Sequence, residues 1–381
     1  MKKISLLLCL IASGAWAQNT ISFGGGERLV NTAVPYTALR SDARSNALGN
    51  TSVATEADVY SQLRNASKYV FFEEDLSVAF THTRFWNTGF DDINDNSFHL
   101  LYRRNDRSAW GGSINYYSLG KMMLKDDLGN DLRETNPYEM NVDLSYSLLL
   151  SETFSMGITG RFLNTRLEGI QNSSFGNALA FDLSGYYQSL PSEFSGFSLV
   201  KRLGFSLQNI GSKMKFNNDE NEQFLPTTLR LGGGLSFTDK LNRHQFDISA
   251  EIGKYLVPEM PEYGYVDANG NGQQGANEPR IIISGDDPAR TGGISGIFKG
   301  FGNASWMYSA GVGYTYNRQF SLRAGYYGES QQAGDRNFIG VGAGFKAARL
   351  GIDLSYTKST QSIPHPLDNN MRLSLAYHFG R

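Results

Sequence analysis

The chain has 381 residues, of which 40% are hydrophobic, 13% aromatic and 19% charged, with 42 glycines and a formal net charge of -2. A mean hydropathy of -0.35 excludes a helical membrane bundle, and beyond residue 17 no apolar run reaches the ~18 residues that a helix needs to cross a bilayer. The aromatic content argues against disorder, and the near-neutral charge gives no general reason to bind nucleic acid, whose phosphates attract a basic face.

Residues 1–17 read as a secretory signal peptide. Lys2 and Lys3 form the positive region, Ile4 to Ser13 the apolar region, and Ala15-Trp16-Ala17 a small-x-small cleavage site before Gln18. The single cysteine, Cys9, falls inside it. The mature chain is therefore expected to hold no disulfide, thiolate metal site or cysteine nucleophile. Residues 18–74 carry apolar residues without strand alternation. They are predicted to form an N-terminal plug or hatch segment within a barrel lumen, with a periplasmic extension as the alternative.

From residue 75 onward, apolar and polar residues alternate over about ten residues at a time, the period-2 signature of half-buried strands. Met371, Leu373, Leu375, Tyr377 and Phe379 share one face, and Arg372, Ser374, Ala376, His378 and Gly380 the other. Segments of this kind predict fourteen strands, beginning near 75, 97, 108, 138, 153, 176, 201, 227, 244, 305, 319, 337, 349 and 370. Links after even-numbered strands are mostly tight, as at Asn317-Arg318 and Ala347-Ala348. Links after odd-numbered strands are long and polar, above all 257–304, and the link at 189–200 breaks the rule. The pattern predicts an all-β fold, a 14-stranded antiparallel transmembrane β-barrel over residues 75–381 in a bacterial outer membrane, with 257–304 as a long extracellular loop.

A β-sandwich also alternates, but two features oppose it. Trp306, Tyr314, Tyr316, Tyr326, Tyr377 and Phe379 sit near strand ends on the apolar faces, where a barrel places its girdles. Asp143, Arg161, Asp182, Arg230, Asp247, Glu251, Arg323, Asp353 and Arg372 lie mid-strand on the opposite faces. Unpaired ions in a sandwich core would each cost several kcal/mol, whereas a polar lumen can pair them across the barrel. Gly340, Gly342 and Gly344 share one parity, marking a wall that lumen contents approach closely.

Several segments then resemble a known family. Thr32-Ala33-Val34-Pro35, Asp42-Ala43-Arg44, Gly49 and Val53-Ala54-Thr55 are similar to the N-terminal signature of the PorV (LptO) family, the fatty-acid-transporter-like (FadL-like) barrels of the type IX secretion system. The similarity continues through Tyr116-Tyr117-Ser118-Leu119-Gly120, Phe154-Ser155-Met156-Gly157, Leu322 to Tyr326, Gly334-Asp335-Arg336 and Gly340 to Lys346. Family members usually carry Trp-Asn-Pro-Ala-Lys where this chain has Leu63-Arg64-Asn65-Ala66-Ser67-Lys68, in which the asparagine is clearly kept. Ser41 replaces the usual proline.

The resemblance implies a fourteen-stranded barrel with a hatch, in the outer membrane of a Gram-negative, Bacteroidota-type bacterium, surrounded by outer-membrane lipid. It implies binding and transport without catalysis. The implied partners are the type IX translocon, the C-terminal signal domains of secreted cargo, and a surface attachment complex containing a cysteine-protease-like signal peptidase. The alternative is an outer-membrane channel for hydrophobic small molecules, with an enzyme acting on lipopolysaccharide third. His82, His99, His244, His365 and His378 are scattered, and neither Gly24-Gly25-Gly26 nor Gly232-Gly233-Gly234 carries the lysine and hydroxyl of a phosphate loop.

Two local motifs stand apart. Asp267, Asn269, Asn271 and Glu278 fit a twelve-residue calcium loop, Asp267-Ala268-Asn269-Gly270-Asn271-Gly272 with the glutamate twelfth. With two charged ligands it would suit millimolar Ca2+, and a Gly/Asn-rich surface loop is the competing reading. Arg280, Ile281, Ile282 and Ile283 form an apolar run in the longest outer loop, either a strand closing that loop on itself or an edge offered to a partner by β-augmentation.

Overall fold

The computed structural model describes residues 20–22, 29–85, 92–126, 128–167, 175–216, 222–266, 280–361 and 369–379. The expected signal peptide, 1–17, and the calcium-type loop, 267–278, lie outside the described residues.

Fourteen strands close into an antiparallel barrel. They are β1 Leu76–Phe85, β2 Ile93–Asn105, β3 Ser108–Leu119, β4 Tyr138–Ser151, β5 Phe154–Arg166, β6 Phe175–Gln188, β7 Phe197–Gly211, β8 Thr228–Asp239, β9 His244–Tyr255, β10 Trp306–Tyr316, β11 Phe320–Glu329, β12 Asn337–Ala347, β13 Leu350–Ser359 and β14 Asn370–Phe379. Each pairs with its neighbour in sequence. The last returns to the first, with Leu76 opposite Phe379 and Phe85 opposite Asn370. Closure removes both sheet edges, which is what lets strands cross a membrane with every backbone group paired. Among the described residues no helix is long and apolar enough to cross one.

The alternation sets the two faces. Along β14, Met371, Leu373, Leu375, Tyr377 and Phe379 face outward, while Asn370, Arg372, Ser374, Ala376 and His378 are buried inside. The aromatic girdles form as expected, with Trp306, Tyr308 and Tyr326 at the end carrying long links and Tyr316, Phe320, Phe345, Tyr377 and Phe379 at the other, all exposed to lipid. Tight turns mark the periplasmic end. At Asn317 and Arg318 both φ are positive, 50° and 56°, the turn whose twist matches that of the flanking strands. The long links gather at the extracellular end.

The irregular link at 189–200 has a simple form. Strand β7 begins at Phe197, four residues earlier than the sequence pattern indicates, and Ser192–Phe194 folds back to pair with Phe197–Leu199. Strand β7 also carries a bulge between Leu207 and Ile210 in its pairing with β6. Asn209 stands there at φ 58°, its backbone N–H donating to Asp182 at 2.7 Å.

The link between β9 and β10 has structure of its own. Glu262–Val266 pairs with Arg280–Ser284 on one side and Thr20–Ser22 on the other, and an eight-residue helix, α1, follows at Gly293–Gly300. Inside the barrel, residues 30–72 fold as short 3-10 turns and one five-residue helix, Ala43–Ala47, most of them buried.

Candidate functional site

The lumen is polar, so whatever occupies it must satisfy a wall of hydrogen-bonding groups rather than an apolar core. Residues 30–72 do this with backbone and side chain together. Asp42 caps the Ala43–Ala47 helix by accepting from the Ser45 backbone N–H at 3.0 Å and the Ser45 hydroxyl at 2.6 Å. The Ala43 N–H donates to Ser374 Oγ on β14 at 2.9 Å. Arg44 reaches back to Asp58 at 3.2 Å and Glu56 at 3.3 Å. The Asp-Ala-Arg motif therefore caps a helix, packs it and ties it to the next turn.

Further anchors come from around the wall. Glu251 on β9 accepts the backbone N–H groups of Ser52 and Val53, each at 3.0 Å, and pairs with Arg230 on β8 at 3.0 Å. Arg40 pairs with Asp95 on β2 at 3.1 Å. Arg372 donates to the carbonyl of Ser41. Asn65 donates to Val53 O at 2.8 Å and to Gly185 O on β6 at 3.1 Å, so it fastens the segment to itself and to the barrel. Gln208, beside the β7 bulge, donates to Leu63 O at 2.9 Å.

The Lys68 ammonium is fully buried and donates to Ser52 O at 2.9 Å and Thr55 Oγ1 at 3.0 Å. Burial pushes it down to about 8. An unfolded lysine titrates higher, so between these values the unfolded state binds more protons and folding gains stability as pH rises. We expect the stability difference between the parent and Lys68→Met to change across pH 8 to 10, measured by chemical denaturation in detergent, with the parent gaining on the variant. A pH-independent difference would contradict the lowering of the Lys68 titration by burial.

Where the glycines stand, the segment touches the wall backbone to backbone. A Cβ on Gly325 would lie 2.1 Å from Leu48 C, on Gly311 2.6 Å from Leu48 O, and on Gly340 2.4 Å from Asn46 O. Gly342 makes room for the Ala47 side chain, its Cβ position lying 2.6 Å from Ala47 Cβ, whereas Gly344 makes room for Arg323 of β11 to reach Asp353 of β13 across β12. The expected charge pairs form along the wall between near strands, as Arg161 does with Asp143 and Asp182, both at 2.9 Å, and not across the barrel. The reason is that residues 30–72 occupy the space between.

At the periplasmic end a cavity of about 340 Å³ remains beneath residues 54–60, lined by Arg44, Asp58, Arg202, Asp247, Arg323 and Asp353 among others. These charged groups share its walls with apolar ones such as Leu48, Phe71 and Phe72. His99 and His378 sit on the lumen side as ordinary hydrogen-bonded residues, His378 with Ser77 at 2.9 Å and His99 with Ser97 at 3.0 Å.

Of the sequence-predicted site residues, Asp267, Asn269, Asn271 and Glu278 are outside the described residues. Among those described, no group of three or more His, Cys, Asp or Glu could hold a metal. Arg280, Ile281, Ile282 and Ile283 form the outer strand of the extracellular three-stranded sheet, pairing with Tyr265, Gly264 and Tyr263 on one side. The Arg280 guanidinium lies 3.6 Å from the Tyr263 ring centroid, and Ile282 and Ile283 are exposed. Asn65, Lys68 and Gln208 had no role assigned from the sequence, and the one local signal among them is the parity that Gln208 shares with the buried Arg202 and Ser206 on β7.

A family model for the type IX secretion system protein PorV matches residues 24–262. Among solved structures, the chain is similar to the toluene transporter TodX of P. putida, at 12% identity and a TM-score of 0.53, over 90% of this chain and 99% of that one. It is also similar to the toluene transporter TbuX of Ralstonia pickettii, at 12% identity and a TM-score of 0.50, over 89% and 98% of the two chains. At such identities the likeness is one of fold. No curated protein sequence matches significantly.

Proposed function

The chain belongs to the PorV family of type IX secretion system proteins, and from that premise we propose that it binds the C-terminal signal domains of secreted cargo and carries them from the translocon to the surface attachment complex with its signal peptidase. The family match is the observation that carries this reading. Two features support it. Residues 30–72 bond to lumen-facing groups on several strands, and as a plug they would have cargo met at the outer face instead of threaded through the barrel. That face offers the strand Arg280–Ser284, paired on one side within its sheet, and a cargo β-domain could extend it by main-chain hydrogen bonds.

Affinity purification from native membranes tests the proposal. Co-recovery of cargo and a large translocon is expected, and a photo-crosslinker at Ile282 is expected to give adducts with cargo. Purification of the barrel alone from secreting cells would sink the shuttle reading, and loss of the Ile282 adduct alone would remove only this strand as the contact. In the 267–278 loop, millimolar Ca2+ binding is proposed on the motif, and calorimetry should show heat that Asp267→Ala abolishes. The alternative, a route for hydrophobic small molecules, is less well served by a cavity lined by several arginines and aspartates beside its apolar groups.

A further inference from the structure

We propose that the extracellular helix α1 (Gly293–Gly300), together with Phe301, is an interfacial anchor that lies in the outer leaflet of the membrane and extends the lipid-contacting surface of the barrel beyond β10.

The helix has three distinct sides. Gly293, Gly296 and Gly300 form the first, seated on the rim of the barrel. A Cβ at these positions would fall 2.7 Å from Gly211 O, 2.6 Å from the Phe224 ring and 2.3 Å from Leu256 C. Asn303 fixes the far end by donating to Tyr255 O at 3.2 Å and Val257 O at 2.6 Å. Roughly a third of a turn round, given about 100° per residue, stand Ile294, Phe298 and Phe301, which are 67%, 72% and 53% exposed. Ser295 and Lys299 make the third side, with Lys299 paired to Asp286 at 2.6 Å.

Lys254 tells which way the apolar side turns. It has the lipid-facing parity of β9, like the exposed Ile248 and Ile252, yet it is only 8% exposed. Its ammonium donates to Phe301 O at 2.7 Å and lies 4.5 Å from the centroid of the Trp306 ring. The C-terminal end of the helix therefore rests on the outer wall of the barrel, not over its mouth. Its last carbonyls meet a cation there, the favoured charge at that end. Trp306 and Tyr308, 45% and 47% exposed, belong to the extracellular girdle, so Phe301 and Phe298 continue a surface that lipid already covers. An apolar side beside a polar one, set at the level of a girdle, is the arrangement by which short helices lie in a membrane interface. This side meets the acyl and headgroup boundary of the outer leaflet, and a protein partner found on it would overturn the proposal.

The test uses the full chain in vesicles of phosphatidylcholine and phosphatidylglycerol, with and without lipid carrying a nitroxide near the top of its acyl chain. A fluorophore is placed at Phe298→Cys or at Ile294→Cys on the same side, and at Ser295→Cys on the polar side, each in a background with Cys9→Ser. Immersion of a few ångströms should give about a twofold or greater loss of fluorescence to the nitroxide at 298 and 294 and little loss to aqueous iodide, with the reverse at 295. Iodide quenching at 298 and 294 as strong as at 295, without nitroxide quenching, overturns the proposal. Two positions on one side keep the result readable if one variant fails to fold, which heat-modified migration on a gel reveals.

Discussion

Gly325→Leu is expected to push residues 47–50 off the wall of β11 and to convert a closed barrel into a conducting one. The contact there is between backbones, since a Cβ would sit 2.1 Å from Leu48 C and 2.3 Å from Gly49 N. The inner segment, the turn after the Ala43–Ala47 helix, cannot retreat by changing a rotamer. Gly49 is held at φ 67°, with its own Cβ position 2.4 Å from Tyr326 O, so both partners of the contact lack room. In planar bilayers the single-channel conductance of the variant should exceed that of the parent by about tenfold or more, because a fourteen-strand lumen is wide enough for water and ions once its contents shift. Gly313→Leu is the control. It lies on β10, where a Cβ meets nothing nearer than Asp247 Cβ at 3.6 Å beside the periplasmic cavity, and it should conduct like the parent. Equal conductance of Gly325→Leu and the parent would mean that residues 30–72 do not seal the barrel.

Glu251→Ala should be the most destabilising single change within the lumen. It removes the partner of a buried Arg230, for which the usual cost is about 3–5 kcal/mol. It also strips the acceptor from the Ser52 and Val53 N–H groups, each worth about 1–3 kcal/mol when left unpaired. These costs overlap and will not add in full. We expect a lower thermal midpoint in detergent and faster hydrogen exchange at the amides of Ser52 and Val53, with the strand amides of β2 and β3 unaffected. Glu251→Gln keeps an acceptor but not the charge, so it should fall between the parent and the alanine variant. If Glu251→Ala melts with the parent and its two amides remain protected, the carboxylate does not anchor residues 52 and 53.

The barrel strands were legible because one rule governs all of them. A strand with lipid on one face and a polar lumen on the other must alternate, and fourteen segments of the chain do so. The boundaries slipped where that rule does not operate. The early start of β7 at Phe197 is set by pairing with Ser192–Phe194 beyond the membrane, where no lipid enforces parity. Gly340 and Gly342 were readable as a close approach because small residues on the lumen face have no other reason to repeat. Their partner, the helix at Ala43–Ala47, was not readable, since five residues are too few to show a period. Asn65 and Lys68 were seen only as fragments of a motif. Their work is to satisfy carbonyls at Val53, Gly185 and Ser52, contacts that run up to 120 residues along the chain.

The sequence by itself determined the strand number, the inward and outward faces, the two girdles and the end at which the long links gather, because each follows from local alternation and from turn length. Only the tertiary structure decided what fills the lumen and how the charges pair. Alternation states that Arg230, Glu251, Arg323 and Asp353 face inward but not whom they meet. Their partners are fixed by register between strands and by the backbone of residues 30–72, and neither has a local signature. The same holds for Lys254. Its parity alone would have turned it toward lipid, and it is the Phe301 carbonyl and the Trp306 ring, brought over it by the fold, that make a lysine tolerable on the outer wall of a membrane barrel.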